Sequence, residues 1–159
     1  MDEAGRELLV TGSYDDHIRL LSTTGKGRRE VLAEMDLGGG VWRLELIRSS
    51  HGGGEKAGES GLNDGLAHIY TILASCMHAG TRVVALSQKR SESGTPRWEF
   101  QVKAQFTEHK SMNYGSAVQP LPTSPHRDSS IVGGPSAGKR TIVSTSFYDK
   151  LLCIWSVDV

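Results

Sequence analysis

Apolar and polar residues alternate in the same way at three places along this chain. Residues 8–23 read LLVTGSYDDHIRLLST, residues 72–87 read ILASCMHAGTRVVALS, and residues 141–157 read TIVSTSFYDKLLCIWSV. Each segment is an apolar strand, a tight polar turn and a second strand, which suits two antiparallel neighbours in a half-buried sheet. Each also has a turn residue followed six positions later by a strand residue: Asp15 and Leu21, His78 and Val84, Asp149 and Trp155. A repeated unit of this kind cannot bury both its faces alone, so the copies are expected to stack side by side.

The Asp149-to-Trp155 spacing resembles that of WD40 repeats, whose units are four-stranded propeller blades. Strands are expected at residues 8–13, 18–23 and 30–36; at 40–47, 69–76, 82–86 and 98–106; and at 113–119, 141–147 and 151–157. These divide the chain into an incomplete first blade (1–37), a second blade (38–106) and a third blade lacking its fourth strand (107–159). The expected fold is therefore all-β, a partial WD40-type β-propeller of about two and a half four-stranded blades, against about four to eight in a closed ring. Either the chain is a fragment of a longer protein, the reading we prefer at this point, or a partner or oligomer closes the ring.

The turn-to-turn intervals of 63 and 71 residues exceed the about 40–45 of a plain repeat. The excess lies in residues 49–67 and 121–140, which are rich in Gly, Ser, Pro and charge and are expected to be disordered surface insertions. A smaller insertion is expected at residues 88–97. Strand direction alternates, so all three leave one face of the disc. The opposite face gathers the tight turns and is the place to look for chemistry.

Formal net charge is zero and hydrophobic content is 37% over 159 residues. There is thus no bulk electrostatic case for nucleic acid or an anionic membrane. Cys76 and Cys153 fall within strands and read as reduced core residues. With neither a secretion signal nor a long apolar run, the expected location is cytoplasmic.

Two short motifs invite chemistry that their surroundings do not support. Gly133, Gly138 and Lys139 have phosphate-loop spacing, but Arg140 stands where Ser or Thr must hold magnesium, and a strand follows where a helix is needed. His51-Gly52-Gly53-Gly54 copies an oxyanion-hole string, yet the chain has no Gly-x-Ser-x-Gly elbow. No His pair has metal-ligand spacing, and nothing calls for a cofactor.

At the entrance of the third blade, His109 is expected to join Ser144 or Ser146, Asp149 and Trp155 in a buried network. That set looks like a Ser-His-Asp triad, but its expected work is to satisfy buried polar groups and hold the blade. In the middle blade His78 replaces the turn Asp of the other two. Two readings stand for it: an imidazole that takes and returns a proton near neutral pH, or a solvated turn residue. Cys76 beside it reads as a packed residue.

Four strings carry a closer resemblance: GSYDDHIRLL (12–21), GGVWRLEL (39–46), LASCMHAG (73–80) and EHKSMNYG (108–115), with STSFYDKLLCIW (144–155) closing the chain. Together they resemble the C-terminal half of the diphthine methyltransferase-like WD-repeat proteins of diphthamide biosynthesis. The resemblance implies hydrolysis of the methyl ester of methylated diphthine on translation elongation factor 2, which would be the protein substrate. Two departures stand out: Ser116-Ala117-Val118 occupies the place of a family Asp-Trp pair, and Leu21 the place of a Trp. A chain lacking the other blades is possible in an inactive form. For an ester hydrolase the tight-turn face offers His78 as base, Ser111 as a hydroxyl, Tyr114 as a phenol donor and the amides of residues 113–115 as oxyanion donors. His109 is a second base on that face, and the sequence leaves open an activated water or an acyl-enzyme. The rival reading is a non-catalytic interaction scaffold, whose anchors would be exposed aromatics; Tyr14, Tyr114, Phe147 and Tyr148 serve either reading.

Overall fold

In the computed structural model the chain is described over residues 7–23, 27, 29–51, 66–90, 96–120 and 138–158. Among the described residues ten strands follow one another: β1 (Glu7–Gly12), β2 (His17–Thr23), β3 (Arg29–Asp36), β4 (Arg43–His51), β5 (Leu66–Ser75), β6 (Thr81–Arg90), β7 (Pro96–Phe106), β8 (Asn113–Val118), β9 (Lys139–Ser146) and β10 (Leu152–Asp158). They form three antiparallel sheets in the orders β1-β2-β3, β4-β5-β6-β7 and β8-β9-β10. None of the sheets closes on itself, so the fold is all-β and partial-propeller-like, as the alternating pattern predicts.

Backbone pairing carries the strands further than the apolar pattern does. Ser49, Ser50 and His51 pair with Tyr70, Ile69 and His68, so both ends of the segment expected as a disordered insertion at 49–67 are strand. Lys139 and Arg140, placed by the sequence reading in the second insertion, pair with Asp158 and Val157. A polar residue extends a strand cheaply when its N–H and C=O find partners across the ladder, whatever its side chain. Conversely, β4 starts at Arg43 rather than at residue 40, because residues 37–42 form the corner leaving the first sheet. There Leu37 N donates to Asp16 O at 2.8 Å and Val41 N to Ser13 O at 2.8 Å. The remainder of the insertions lies outside the described residues. The paired stubs at 49–51 and 68–70 lie at the end of the second sheet opposite His78.

Two apolar cores flank the second sheet. On one side Ile72, Ala74, Val84, Leu86, Trp98 and Phe100 pack with Ile18, Leu20, Leu37 and Val41 of the first sheet and its corner. On the other, Leu73 and Val83 pack with Ile142, against which Trp155 and Val157 also lean. Successive residues of β5 and β6 thus serve opposite cores, which explains why ILASC and VVAL read as continuous apolar runs. β10 covers only one face, and its burial alternates strictly along its length.

Bulges adjust this alternation. At Leu46/Arg48 the register shifts, which turns Ile47 toward the second core and leaves Leu46 exposed. At Asn113/Gly115 the shift makes Tyr114 the extra residue of β8. A cavity of about 340 Å³ opens between the first two sheets, lined by Leu8, Leu20, Leu44, Tyr70, Ile72 and Glu45 among others.

The two cores make a self-controlled stability test. Ile142→Ala empties a fully buried site and is expected to cost about 2–5 kcal/mol. Ile154→Ala, on the outer face of β10, is expected to change stability by about 0.5 kcal/mol or less. Urea midpoints for both variants check the difference, and equal costs would contradict this packing.

Candidate functional site at the tight-turn end

Three turns meet at the end of the sheets carrying His78. In the β1–β2 turn Asp15 accepts from His17 N at 3.2 Å and holds Arg19 through two hydrogen bonds of 3.0 and 2.7 Å. Arg19 also bonds Glu34. The Arg19 guanidinium keeps the Asp15 carboxyl well below the usual carboxylate range. The His17 imidazole is raised from its ordinary value, chiefly by its Nδ1 contact of 2.6 Å with the Asp15 carbonyl oxygen and then by Glu34.

The β9–β10 turn is held by hydroxyls instead. Asp149 accepts from Ser111 Oγ at 2.8 Å, from Lys110 N at 2.9 Å and from Ser146 Oγ. Ser146 leads the causes that lower the Asp149 pKa from 3.8 to about 2. Ser111 Oγ in turn accepts from Tyr148 N at 3.1 Å and Asp149 N at 3.3 Å. This hydroxyl therefore ties the β7–β8 corner to the β9–β10 turn.

His109 is buried beside this lock but belongs to another chain of bonds. Its Nε2 meets Ser144 Oγ at 2.9 Å, and Ser144 Oγ accepts from Trp155 Nε1 at 3.3 Å. Phe106 stacks on Trp155 at 5.1 Å and meets His109 edge-on at 5.5 Å. The single network expected from the sequence is thus two. His109, Ser144 and Trp155 form one; Asp149, Ser146 and Ser111 form the other. Nδ1 of His109 is buried with no hydrogen-bond partner. The Asp149 carboxylate is occupied instead by Ser146, Ser111 and the Lys110 amide.

The middle turn is left open. His78 is exposed. Its neighbours are fixed: Ala79 N donates to Cys76 O at 2.8 Å and Gly80 N to Met77 O at 3.2 Å. Gly80 has φ of +80°, and a Cβ there would run into the Phe106 carbonyl. Met77 and Tyr14 both pack against Gly40, while Ala79 sits against Gly39. Cys76 is fully buried, and burial pushes its thiol up to about 12, so it is no nucleophile at neutral pH.

Tyr114 is aimed by its bulge into this end, its hydroxyl 3.1 Å from Met112 Sδ. The amide of Asn113 donates to Met77 O at 2.9 Å, which removes it from the expected set of oxyanion donors. The structure therefore brings His78, Ser111 and Tyr114 to one end, with Ser111 engaged by its own turn.

Two features here go beyond the sequence reading. One is a buried polar latch: Ser75 Oγ donates to Ser116 Oγ at 3.1 Å, which also lies 2.9 Å from Thr81 Oγ1, and Ser116 Oγ donates to Asn113 Oδ1 at 3.1 Å. The other is a row of aromatic rings, Tyr14–Trp42–Tyr114–Phe147–Tyr148, contributed by all three sheets and their corners. Among the described residues no three His, Cys, Asp or Glu side chains are grouped to hold a metal ion.

Fold and turn geometry define an all-β protein of stacked, propeller-like sheets with titratable and aromatic groups gathered at the tight-turn end. Over 147 residues, 92% of the chain, it is 28% identical to diphthine methyltransferase of Schizosaccharomyces pombe, covering 32% of that protein. It is 29% identical over 109 residues to the human diphthine methyltransferase, 69% of the chain and 19% of that protein. With the Saccharomyces cerevisiae diphthine methyltransferase it shares 27% identity over 165 residues, 94% of the chain and 32% of that protein. The chain thus spans about a third or less of the length of these curated relatives. These similarities bear out the resemblance carried by the motifs. No family model and no solved structure matches the chain.

The Asp149 lock predicts acid sensitivity. Its folded pKa lies below the ordinary value, so its contribution is present above about pH 4 and is lost as pH falls through about 2. Wild-type chain is expected to lose near-ultraviolet circular dichroism across that window, and Asp149→Asn to flatten the dependence. An unchanged acid profile in the variant would place the sensitivity elsewhere.

Proposed function

We propose that the chain serves diphthamide biosynthesis and takes part in hydrolysing the methyl ester of methylated diphthine on elongation factor 2. The observation that carries this reading is the middle turn. Where the other two turns hold an Asp saturated by its own partners, this one presents the exposed His78 beside Tyr114's end of the sheets. Similarity to proteins named diphthine methyltransferase supports the substrate class. In the proposed step His78 takes a proton from water as the water attacks the ester carbonyl, and returns it to the departing methoxide. The Tyr114 phenol is the candidate donor to the oxyanion. Ser111 positions Asp149 and the turn, and no covalent acyl intermediate is invoked.

The aromatic row favours a second reading, a docking scaffold, because exposed Tyr and Trp are the usual anchors of protein interfaces. The two differ in what His78 does.

Methanol release from methylated diphthine on elongation factor 2, run beside a denaturant titration, separates them. His78→Ala is expected to reduce turnover at least tenfold with stability within about 0.5 kcal/mol of wild type. His109→Ala is expected to cost about 1–3 kcal/mol in stability, since it strips a partner from buried Ser144. Turnover unaffected in His78→Ala would end the catalytic assignment, and a folded but inactive His109→Ala would exchange the two roles.

A further inference from the structure

The aromatic row has a geometry that limits what it can hold. Tyr14 and Trp42 lie 5.6 Å apart between centroids at 75°, and Trp42 and Tyr114 lie 5.6 Å apart at 74°. Trp42 thus stands nearly perpendicular to two other rings, and successive rings make corners rather than a parallel-walled slot. Tyr14 is 67% and Trp42 52% exposed, so these rings meet solvent rather than a core. A polyproline ligand presents rings every about 9 Å and needs separated ridges to lie between. Rings in mutual contact at right angles leave no such slot. What a corner of two ring faces accommodates is a compact cation, which gains from each π-face within about 6 Å.

Charge at the two ends of the row differs. At the Tyr14 end the Asp15 and Glu34 carboxylates share the single Arg19 guanidinium, two negative charges around one positive. At the Phe147–Tyr148 end the neighbouring residues include exposed Lys110 and Lys150. The Tyr14–Trp42–Tyr114 corner is therefore the part suited to a cation.

We propose that the Tyr14–Trp42–Tyr114 corner receives a quaternary ammonium group carried on a modified protein side chain. A trimethylammonium offers nine polarised C–H bonds and no hydrogen-bond donor, so it loses little on leaving water and is matched by ring faces alone. The proposal rests on the functional reading above in naming its bearer: diphthine carries a trimethylammonio group on the same carbon as its carboxyl. The ammonium nitrogen and the ester carbonyl carbon are then roughly 2.5 Å apart by ordinary bond lengths. Seating the ammonium in the corner would deliver the ester to the adjoining turn. That turn is His78's, whose neighbour Met77 packs against Gly40, as Tyr14 does from its own turn. Tyr14, Trp42 and Tyr114 act here as positioning and specificity residues.

The test uses the full chain with choline as probe and 3,3-dimethylbutan-1-ol as its uncharged isostere. Affinities of the wild type and of every variant are read by titration calorimetry, and in the wild type the Trp42 indole N–H resonance, identified by its loss in Trp42→Leu, locates the binding. Choline is expected to shift the Trp42 resonance saturably, with the alcohol and the Trp42→Leu variant each binding about three- to tenfold more weakly or less. Equal affinity for choline and the alcohol, no saturable binding of choline, or saturation by a proline-rich peptide instead would overturn the proposal. Trp42→Phe, which keeps a π-face, is expected to retain most of the affinity; failure of Trp42→Phe alongside a normal fold also counts against it. The proposal and the functional reading fail separately. Choline binding without methanol release from diphthine ester leaves the corner and removes the catalytic step. Methanol release at equal rates from the quaternary substrate and its uncharged isostere removes the corner and leaves the step.

Discussion

Asn113 is fully buried, and much of the tight-turn end is placed by it. Its Nδ2 donates to Thr145 O at 2.9 Å, its Oδ1 accepts from Ser116 and Thr81, and its amide reaches Met77 O across the boundary between sheets. An unpaired amide in that position would cost about 1–3 kcal/mol, so the latch is stable only when all its members are in place. Two consequences follow from satisfying it. The β8 ladder must bulge at Tyr114 for both Asn113 and Ser116 to face the second sheet, and the bulge directs Tyr114 toward Trp42. The bond to Met77 also joins the His78 turn to the third sheet.

The three turns show how one scaffold position yields different chemistry. Asp15 is paired with an arginine four residues on along its own strand pair, and Asp149 accepts hydrogen bonds from two serines on two elements. Both carboxylates are committed to holding chain segments together, and their lowered pKa values record that commitment. His78 has no equivalent partner role among these bonds. A turn closed by glycine at φ +80° and by the Cys76 and Met77 carbonyls does not need a side-chain lock. The imidazole is then available at the surface, where exchanging a proton with solvent is easy.

The alternation of residues 8–23, 72–87 and 141–157 was enough to reveal six strands, two in each segment, because period two is dictated by the pleat and is local. Extents were less legible, since Ser49, Ser50 and Lys139 are strand only through partners far along the chain. The bulges were hidden for the same reason: Asn113 and Ser116 are three apart, which reads as a break in alternation until Ser75 and Thr81 are seen opposite. The quartet around His109 was half legible. Spacing brought His109, Ser144 and Trp155 together, but it gave no sign that Ser111 and Ser146 would occupy Asp149 first. Of the aromatic row, Tyr14, Tyr114, Phe147 and Tyr148 were legible as aromatics of the tight-turn face, but Trp42 and the contacts that join the rings were not, because the members come from separate turns and corners and share no period.

Rigid scaffolding and exposed groups are therefore divided between neighbouring positions along the same strands and corners. Asn113 is buried while Tyr114 faces the rings; Cys76 is buried while His78 is open; Val41 is buried while Trp42 is exposed. In each pair the inward residue fixes the backbone to a core or to the latch, so the outward residue is held by covalent connection to an ordered neighbour rather than by contacts of its own. That arrangement lets exposed rings and an exposed imidazole keep a defined relation to each other without being buried. Preorganisation of this kind is what recognition of a small cationic group needs, since a single cation–π contact at an exposed site is worth only about 0.5–1 kcal/mol and cannot also order a flexible loop.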